Sequence, residues 1–170
     1  MSLQARLCLL CLAVLLAGCV QQAVAVTYPR PPVYDRAIIP GVFHVDGTNI
    51  TLGEYIDSLG VDYFVLTYWV STCNQCKVQL DLWQLGLGTL RPAGIEVIAV
   101  DYGEAFSSMV RALDKADPKW EMPIAWVDQN GVHLLGTPAT IVFSRDYKVL
   151  GEVYGVMTVE QLMYLISEGN

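Results

Sequence analysis

Cationic side chains are scarce in this 170-residue chain: ten lysines and arginines stand against seventeen aspartates and glutamates, a net charge of −7 with histidine neutral. Such an acidic balance argues against nucleic acid as a partner and against polybasic attachment to an anionic bilayer. Histidine is scarcer, with only His44 and His133, and neither has a paired spacing that would complete a zinc site around two thiols. Long apolar runs are missing too. The longest, Leu7 to Ala17, has eleven residues, whereas a spanning helix needs about 20. There is no internal repeat, which excludes a solenoid, and no low-complexity tract.

What the N-terminus does contain is one basic residue, Arg6, the short apolar run, and then Leu16-Ala17-Gly18-Cys19. This is the build of a secretion signal. Leu-Ala-Gly-Cys resembles the bacterial lipobox, in which the chain is cut before the cysteine and that cysteine is lipidated. We therefore expect a signal peptide over 1–18 and lipid on Cys19. An ordinary secretory site after Ala25 is the alternative, disfavoured because Gln21 and Gln22 separate Ala23-Val24-Ala25 from the apolar run. Val20 and Gln21 lack the aspartate that often signals inner-membrane retention, which leans toward the outer membrane. Pro29, Pro31, Pro32 and Pro40 favour extended backbone, so 19–40 reads as a tether and 41–170 as one domain with a sizeable core. Val33, Tyr34, Ile38 and Ile39 leave open that this stretch packs as an arm.

Few thiols remain after such processing. Of five cysteines, Cys8 and Cys11 leave with the signal and Cys19 carries lipid, which leaves Cys73 and Cys76. Outside the cytoplasm this pair is bonded to itself, bonded transiently to a partner, or held reduced by a donor.

Along the domain, Val42–Val45, Asp46-Gly47 and Ile50–Leu52 predict a hairpin, and Thr51 with Glu54 a capping box for a helix over Leu52–Leu59. From Val61 the pattern alternates: a strand to Tyr68, a helix over Gln75–Leu90, a strand over Ile95–Val100, and a helix from Glu104 to about Ala116. Alternation of this kind implies parallel strands with crossover helices. Leu80, Trp83, Leu87 and Leu90 recur at helical spacing as core, with Gly86 and Gly88 weakening the last turns. A short strand is expected over Pro123–Val127, then a turn at Asp128–Gly131. A hairpin follows from Ala139–Phe143 and Val149–Tyr154 around Arg145-Asp146-Tyr147. Thr158 with Gln161 opens a final helix whose Val159, Leu162, Met163 and Ile166 share one face.

The chemistry lies in Trp69-Val70-Ser71-Thr72-Cys73-Asn74-Gln75-Cys76-Lys77, where a strand gives way to a helix. The thiolate is the nucleophile in disulfide exchange, and the first turn of a helix stabilises negative charge. Cys73 is the candidate attacker, and Cys76, one turn on, can reach back and resolve a mixed disulfide. A static structural disulfide is the bland alternative, and position at the strand-to-helix junction disfavours it. Lys77 reads as a solvated surface residue, Tyr68 and Trp69 as packing, and Asp101 and Glu104 as a loop residue and a helix N-terminal signal.

Four features make the chain resemble the thioredoxin superfamily, specifically its membrane-tethered TlpA/ResA/DsbE-like branch. They are Trp69 four residues before Cys73, the Cys73-x-x-Cys76 pair opening a helix, Gly136-Thr137-Pro138-Ala139-Thr140 heading a strand, and the closing hairpin and helix. The resemblance spans about Gly41 to Asn170. It implies an α/β thioredoxin fold, a central mixed sheet flanked by helices, with an N-terminal β-hairpin extension. It further implies a cis Thr137-Pro138 bond that presents the Thr137 backbone as an edge for a partner's extended segment, and that leaves a metal no room between the thiols. No bound organic cofactor is expected.

The implied activity is extracytoplasmic thiol-disulfide exchange with protein substrates, facing the periplasm. A second redox protein would serve as electron donor or acceptor, and reduction of apocytochrome c cysteines is the leading task. Thr67 stands where cytoplasmic thioredoxins carry an acidic residue, so no proton acceptor is assigned there, and with Thr72 and Asn74-Gln75 it leaves the direction of electron flow open. A dithiol that captures a soft metal such as Cu(I), and an assembly lipoprotein with an inert disulfide, are the competing readings.

Overall fold

The computed structural model describes residues 41–43, 49–117, 119–127 and 134–169. The expected signal over 1–18, Cys19, the tether 19–40, the Asp46-Gly47 and Asp128–Gly131 turns, and both histidines lie outside the described residues. Strands β1 (Gly41–Phe43) and β2 (Asn49–Thr51) pair antiparallel as the expected N-terminal hairpin, followed by α1 (Leu52–Leu59). Then come β3 (Tyr63–Trp69), α2 (Asn74–Leu90) with a 3-10 turn at Arg91–Ala93, and β4 (Ile95–Tyr102). The chain continues with α3 (Phe106–Lys115), β5 (Ile124–Val127), β6 (Ala139–Ser144), β7 (Val149–Tyr154) and α4 (Val159–Gly169). The main sheet runs β5-β4-β3-β6-β7. Strands β3, β4 and β5 are parallel to one another, whereas β6 pairs antiparallel with β3 and β7 antiparallel with β6. This is the mixed, helix-flanked sheet of the thioredoxin fold.

The central strand β3 is an almost unbroken apolar run because both of its faces are covered. Val65 and Trp69 join Val97 and Ala99 of β4 under Leu80, Trp83 and Leu87 of α2 and Leu162 and Ile166 of α4. On the other face Phe64, Leu66 and Tyr68 pack with Ile98, Val100, Ile141 and Ile56 of α1. Helix α2 buries Cys76, Gln79, Leu80, Trp83, Gly86, Leu87 and Leu90 on one stripe. Gly86 has a packing reason: a Cβ there would stand 2.6 Å from Val159 Cγ2 of α4, whereas Gly88 faces open space.

Three details of the chain differ from expectation. Strand β4 continues past Val100 to Tyr102 because Asp101 and Tyr102 pair with Trp126 and Val127 of β5. Asp101 is thus a buried strand residue rather than a loop residue. Helix α3 begins at Phe106, so Glu104 lies in the preceding loop instead of opening the helix. On α4, Met163 is 38% exposed while Leu162 and Ile166 are buried. At about 100° per residue Met163 and Leu165 flank the Leu162–Ile166 stripe on opposite sides, and it is Leu165 that packs against the core.

Two local signals are realised in full. Thr158 and Gln161 form a reciprocal capping box: the Gln161 N–H donates to Thr158 Oγ1 at 3.3 Å and the Thr158 N–H to Gln161 Oε1 at 2.8 Å. Tyr147 holds the hairpin turn with φ of 64°, a conformation that favours glycine. Its side chain ties that turn to α1, because its hydroxyl donates to Asp57 Oδ1 at 3.0 Å and its ring meets Phe64 edge-on at 5.2 Å.

Candidate active site

Strand β3 ends at Trp69, and the Cys73 N–H donates to the Val70 carbonyl at 3.1 Å to close the turn that follows. Cys73 then caps α2 with extended backbone, φ −86° and ψ 109°. Its Sγ accepts the Cys76 N–H at 3.1 Å, one of the donors a helix leaves unpaired in its first turn. Cys73 and Cys76 are joined as a disulfide with Cα atoms 5.2 Å apart. Cys73 is half-buried, whereas Cys76 is wholly buried in the core beneath α2. Only the first sulfur can therefore be met by another molecule. Lys77 is exposed, and Tyr68 and Trp69 are buried packing residues.

The antiparallel register of β3 with β6 brings the second part of the site into place. Tyr68 pairs with Ala139, so the residues just before Ala139 lie against the turn that follows β3. The Thr137-Pro138 bond is cis. The Thr137 carbonyl oxygen stands 3.7 Å from Cys73 Sγ. This is a contact rather than a hydrogen bond, because a disulfide sulfur carries no proton. The Pro138 carbonyl is already engaged, accepting the Gly155 N–H at 2.9 Å. Among the described residues no group of three or more histidine, cysteine, aspartate or glutamate side chains is placed to hold a metal ion.

Behind these residues stands a frame whose partners the sequence does not announce. Gln79, one turn beyond Cys76 and fully buried, grips the backbone of Met157 twice. Its Nε2 donates to the Met157 carbonyl at 3.0 Å, and its Oε1 accepts the Met157 N–H at 2.6 Å. That clamp fixes the segment running from Gly155, which holds Pro138. Thr67 is also buried, and its hydroxyl accepts Trp83 Nε1–H at 2.8 Å and lies 3.2 Å from Thr140 Oγ1. A threonine there completes a polar knot under α2 without introducing charge.

A buried carboxyl does exist, on the neighbouring strand. Asp101 pairs in register with Trp69 on one side and Trp126 on the other. It shares strand parity with Val97 and Ala99, which places it on the face covered by α2. It is fully buried, and neither oxygen has a hydrogen-bond partner among the described residues. Burial, with a smaller contribution from the Glu104 charge, pushes its pKa up to about 7.

Between the ordinary aspartate range and about 7 the folded chain keeps a proton that the unfolded chain has released. Stability is therefore lost as pH rises through that window, and it levels off above it. Asp101→Asn removes this loss. The melting temperature of the variant relative to wild type should climb between about pH 4 and pH 7 and stay flat above. Thermal unfolding of both oxidised proteins across that range checks it, and a difference independent of pH would contradict it.

No family model matches the chain. It is similar to a thiol-disulfide oxidoreductase ResA of Bacillus cereus, 24% identical over 103 residues that make up 57% of this chain and 57% of that protein. The chain thus spans little more than half the length of that relative. With ResA of Bacillus thuringiensis subsp. konkukian it shares 25% identity over 126 residues, 71% of this chain and 69% of the relative. Among solved structures, StoA from Bacillus subtilis superposes with a TM-score of 0.58 at 19% identity, over 74% of this chain and 94% of that one. MTB dsbF gives 0.62 at 16% identity, over 80% and 98%. A putative thiol:disulfide interchange protein DsbE from Chlorobium tepidum gives 0.60 at 19% identity, over 76% and 91%. The chain has the thioredoxin fold and is similar in sequence to the ResA thiol-disulfide oxidoreductases.

Proposed function

We propose that the protein is an extracytoplasmic thiol-disulfide oxidoreductase that exchanges disulfides with protein substrates through Cys73 and Cys76. In this reading it is tethered to a bacterial membrane by lipid on Cys19 and faces the periplasm. The observation that carries the exchange reading is the asymmetry of the pair: a half-buried Cys73 capping α2 beside the Thr137 carbonyl, and a Cys76 with no exposure at all.

In the reducing direction the Cys73 thiolate attacks one sulfur of a substrate disulfide. A Cys73–substrate bond forms, and the other substrate sulfur leaves as thiolate with the electron pair. The Cys76 thiolate then attacks Cys73 Sγ, releasing the second substrate sulfur and leaving the Cys73–Cys76 disulfide. The substrate has gained two electrons, which a dithiol partner protein returns by the reverse sequence. The Cys76 N–H aimed at Cys73 Sγ stabilises the thiolate in each half of the cycle. Thr137 offers backbone against which an extended substrate segment can pair, with Pro138 setting the shape of that edge. The resemblance to the ResA group favours reduction of cysteines in an apocytochrome c or another metalloprotein.

Glutathione exchange tests the activity directly. The purified chain is equilibrated across a series of thiol-to-disulfide ratios, quenched by alkylation and weighed. We expect a two-electron transition between no free thiol and two at Cys73 and Cys76, at a potential above the roughly −300 mV that marks inert structural disulfides. A pair that stays oxidised below that potential would reject exchange. A reduced pair that binds Cu(I) but reduces no disulfide would favour the metal-binding reading.

A further inference from the structure

The loop between β4 and α3 reaches across to the turn that carries the reactive cysteine. Gly103, with φ of 75°, bends the chain back on itself. The next residue, Glu104, accepts both donors of Ser71: the main-chain N–H goes to Oε1 and the side-chain hydroxyl to Oε2. The Glu104 carbonyl is fixed in turn by Trp126 Nε1–H at 2.7 Å from β5. Ser71 lies inside the Val70–Cys73 turn, two residues before Cys73. Hydrogen bonds to a carboxylate are about twice as strong as neutral ones, so this double grip is the strongest polar restraint described on that turn. Nothing in the exchange chemistry itself uses a carboxylate here.

The geometry points to Glu104 as a positioning residue for the exchange reaction: by holding Ser71 it sets where Cys73 Sγ stands against the Cys76 N–H and the Thr137 carbonyl. Disulfide exchange needs three sulfurs in line, and misplacement by about 1 Å can cost on the order of 100-fold in rate. The brace lies outside the dithiol and outside the Thr137-Pro138 edge. It rests on the exchange reading above.

Glu104→Ala and Glu104→Gln separate position from charge. Glutamine keeps one oxygen to accept the Ser71 N–H and an amide that can donate to the Ser71 hydroxyl, while removing the charge that alanine also removes. We expect Glu104→Ala to slow attack of reduced glutathione on the oxidised protein by about 10- to 100-fold. Alkylation of Cys73 in the reduced Ala variant should shift to higher pH, because the relaxed turn lets the sulfur drift from the Cys76 N–H. Glu104→Gln should match wild type in both readouts.

Ser71→Ala should lower the rate less than Glu104→Ala, because it keeps the main-chain arm. Ser71→Ala placed on Glu104→Ala should add nothing. Far-ultraviolet circular dichroism establishes that each variant is folded, and Ser71→Ala, which removes the hydroxyl arm, carries the test if Glu104→Ala is not: a slowed rate supports the assignment and a wild-type rate overturns it. A wild-type rate in Glu104→Ala, a glutamine variant as slow as alanine, or losses that multiply in the double variant would each overturn the assignment. Wild-type protein that does not exchange with glutathione would instead overturn the function, which keeps the two failures apart.

Discussion

Cys73→Ser should bring disulfide exchange down to the uncatalysed background, whereas Cys76→Ser should retain the first bond-forming step and lose turnover. The difference follows from exposure. Cys73 is half-buried at the mouth of α2, with its sulfur beside the Thr137 carbonyl. Cys76 has no exposed surface and lies among Leu80, Trp83 and Val65 in the core. A substrate sulfur can meet the first and not the second. With Cys73 gone, Cys76 has no route to solvent and no partner thiol in the domain. With Cys76 gone, Cys73 still has the main-chain N–H of position 76 aimed at its sulfur, so it forms a mixed disulfide that nothing resolves. Consumption of one equivalent of a protein disulfide by each reduced variant, read without dithiothreitol, checks the asymmetry. An equal single-turnover burst in the two would contradict it.

Gln79→Leu should be the most damaging change outside the dithiol. The replacement fills nearly the same volume, so no large cavity enters the account. What it removes is the pair of hydrogen bonds to the Met157 backbone, at 3.0 and 2.6 Å, in a place with no access to water. Leaving a buried donor or acceptor unpaired costs about 1–3 kcal/mol each, so a loss of about 2–6 kcal/mol is expected for the two. At about 3 °C per kcal/mol for a domain of this size the melting temperature should fall by about 6–18 °C. The effect should also reach the chemistry, because the Met157 segment holds Gly155, whose N–H fixes the Pro138 carbonyl at 2.9 Å. Thermal unfolding combined with the rate of glutathione attack checks both parts. An unchanged melting temperature would show that the Met157 groups find other partners.

The order of elements was legible because each signal is local. The apolar run before Trp69, the leucine and tryptophan spacing of α2, the Thr158–Gln161 box and the Gly-Thr-Pro context before β6 are each contained in a few residues. The frame around the dithiol was not legible, since its partners are distant in the chain. Gln79 lies 78 residues from Met157, and Ser71 lies 33 residues from Glu104. A polar residue on the buried stripe of α2 was the available sign of the first. For Asp101 the sign was its alternation with Val97 and Ala99, which aims it inward once β4 is known to continue. That continuation depends on pairing with β5, which no local pattern in Ile95–Val100 reveals. Met163 misled for a related reason: its spacing fits the apolar face, but its place at the edge of that face is set by how α4 lies on the sheet.

The most direct test of the account is the mixed disulfide itself. Reduced Cys76→Ser is mixed with a peptide disulfide, quenched with acid and mapped by mass. The account predicts a single adduct of one peptide half, located on Cys73, stable until dithiothreitol is added, and absent from Cys73→Ser treated in the same way. No adduct on Cys73, or an adduct on Cys76 of Cys73→Ser formed at the same rate, would contradict it.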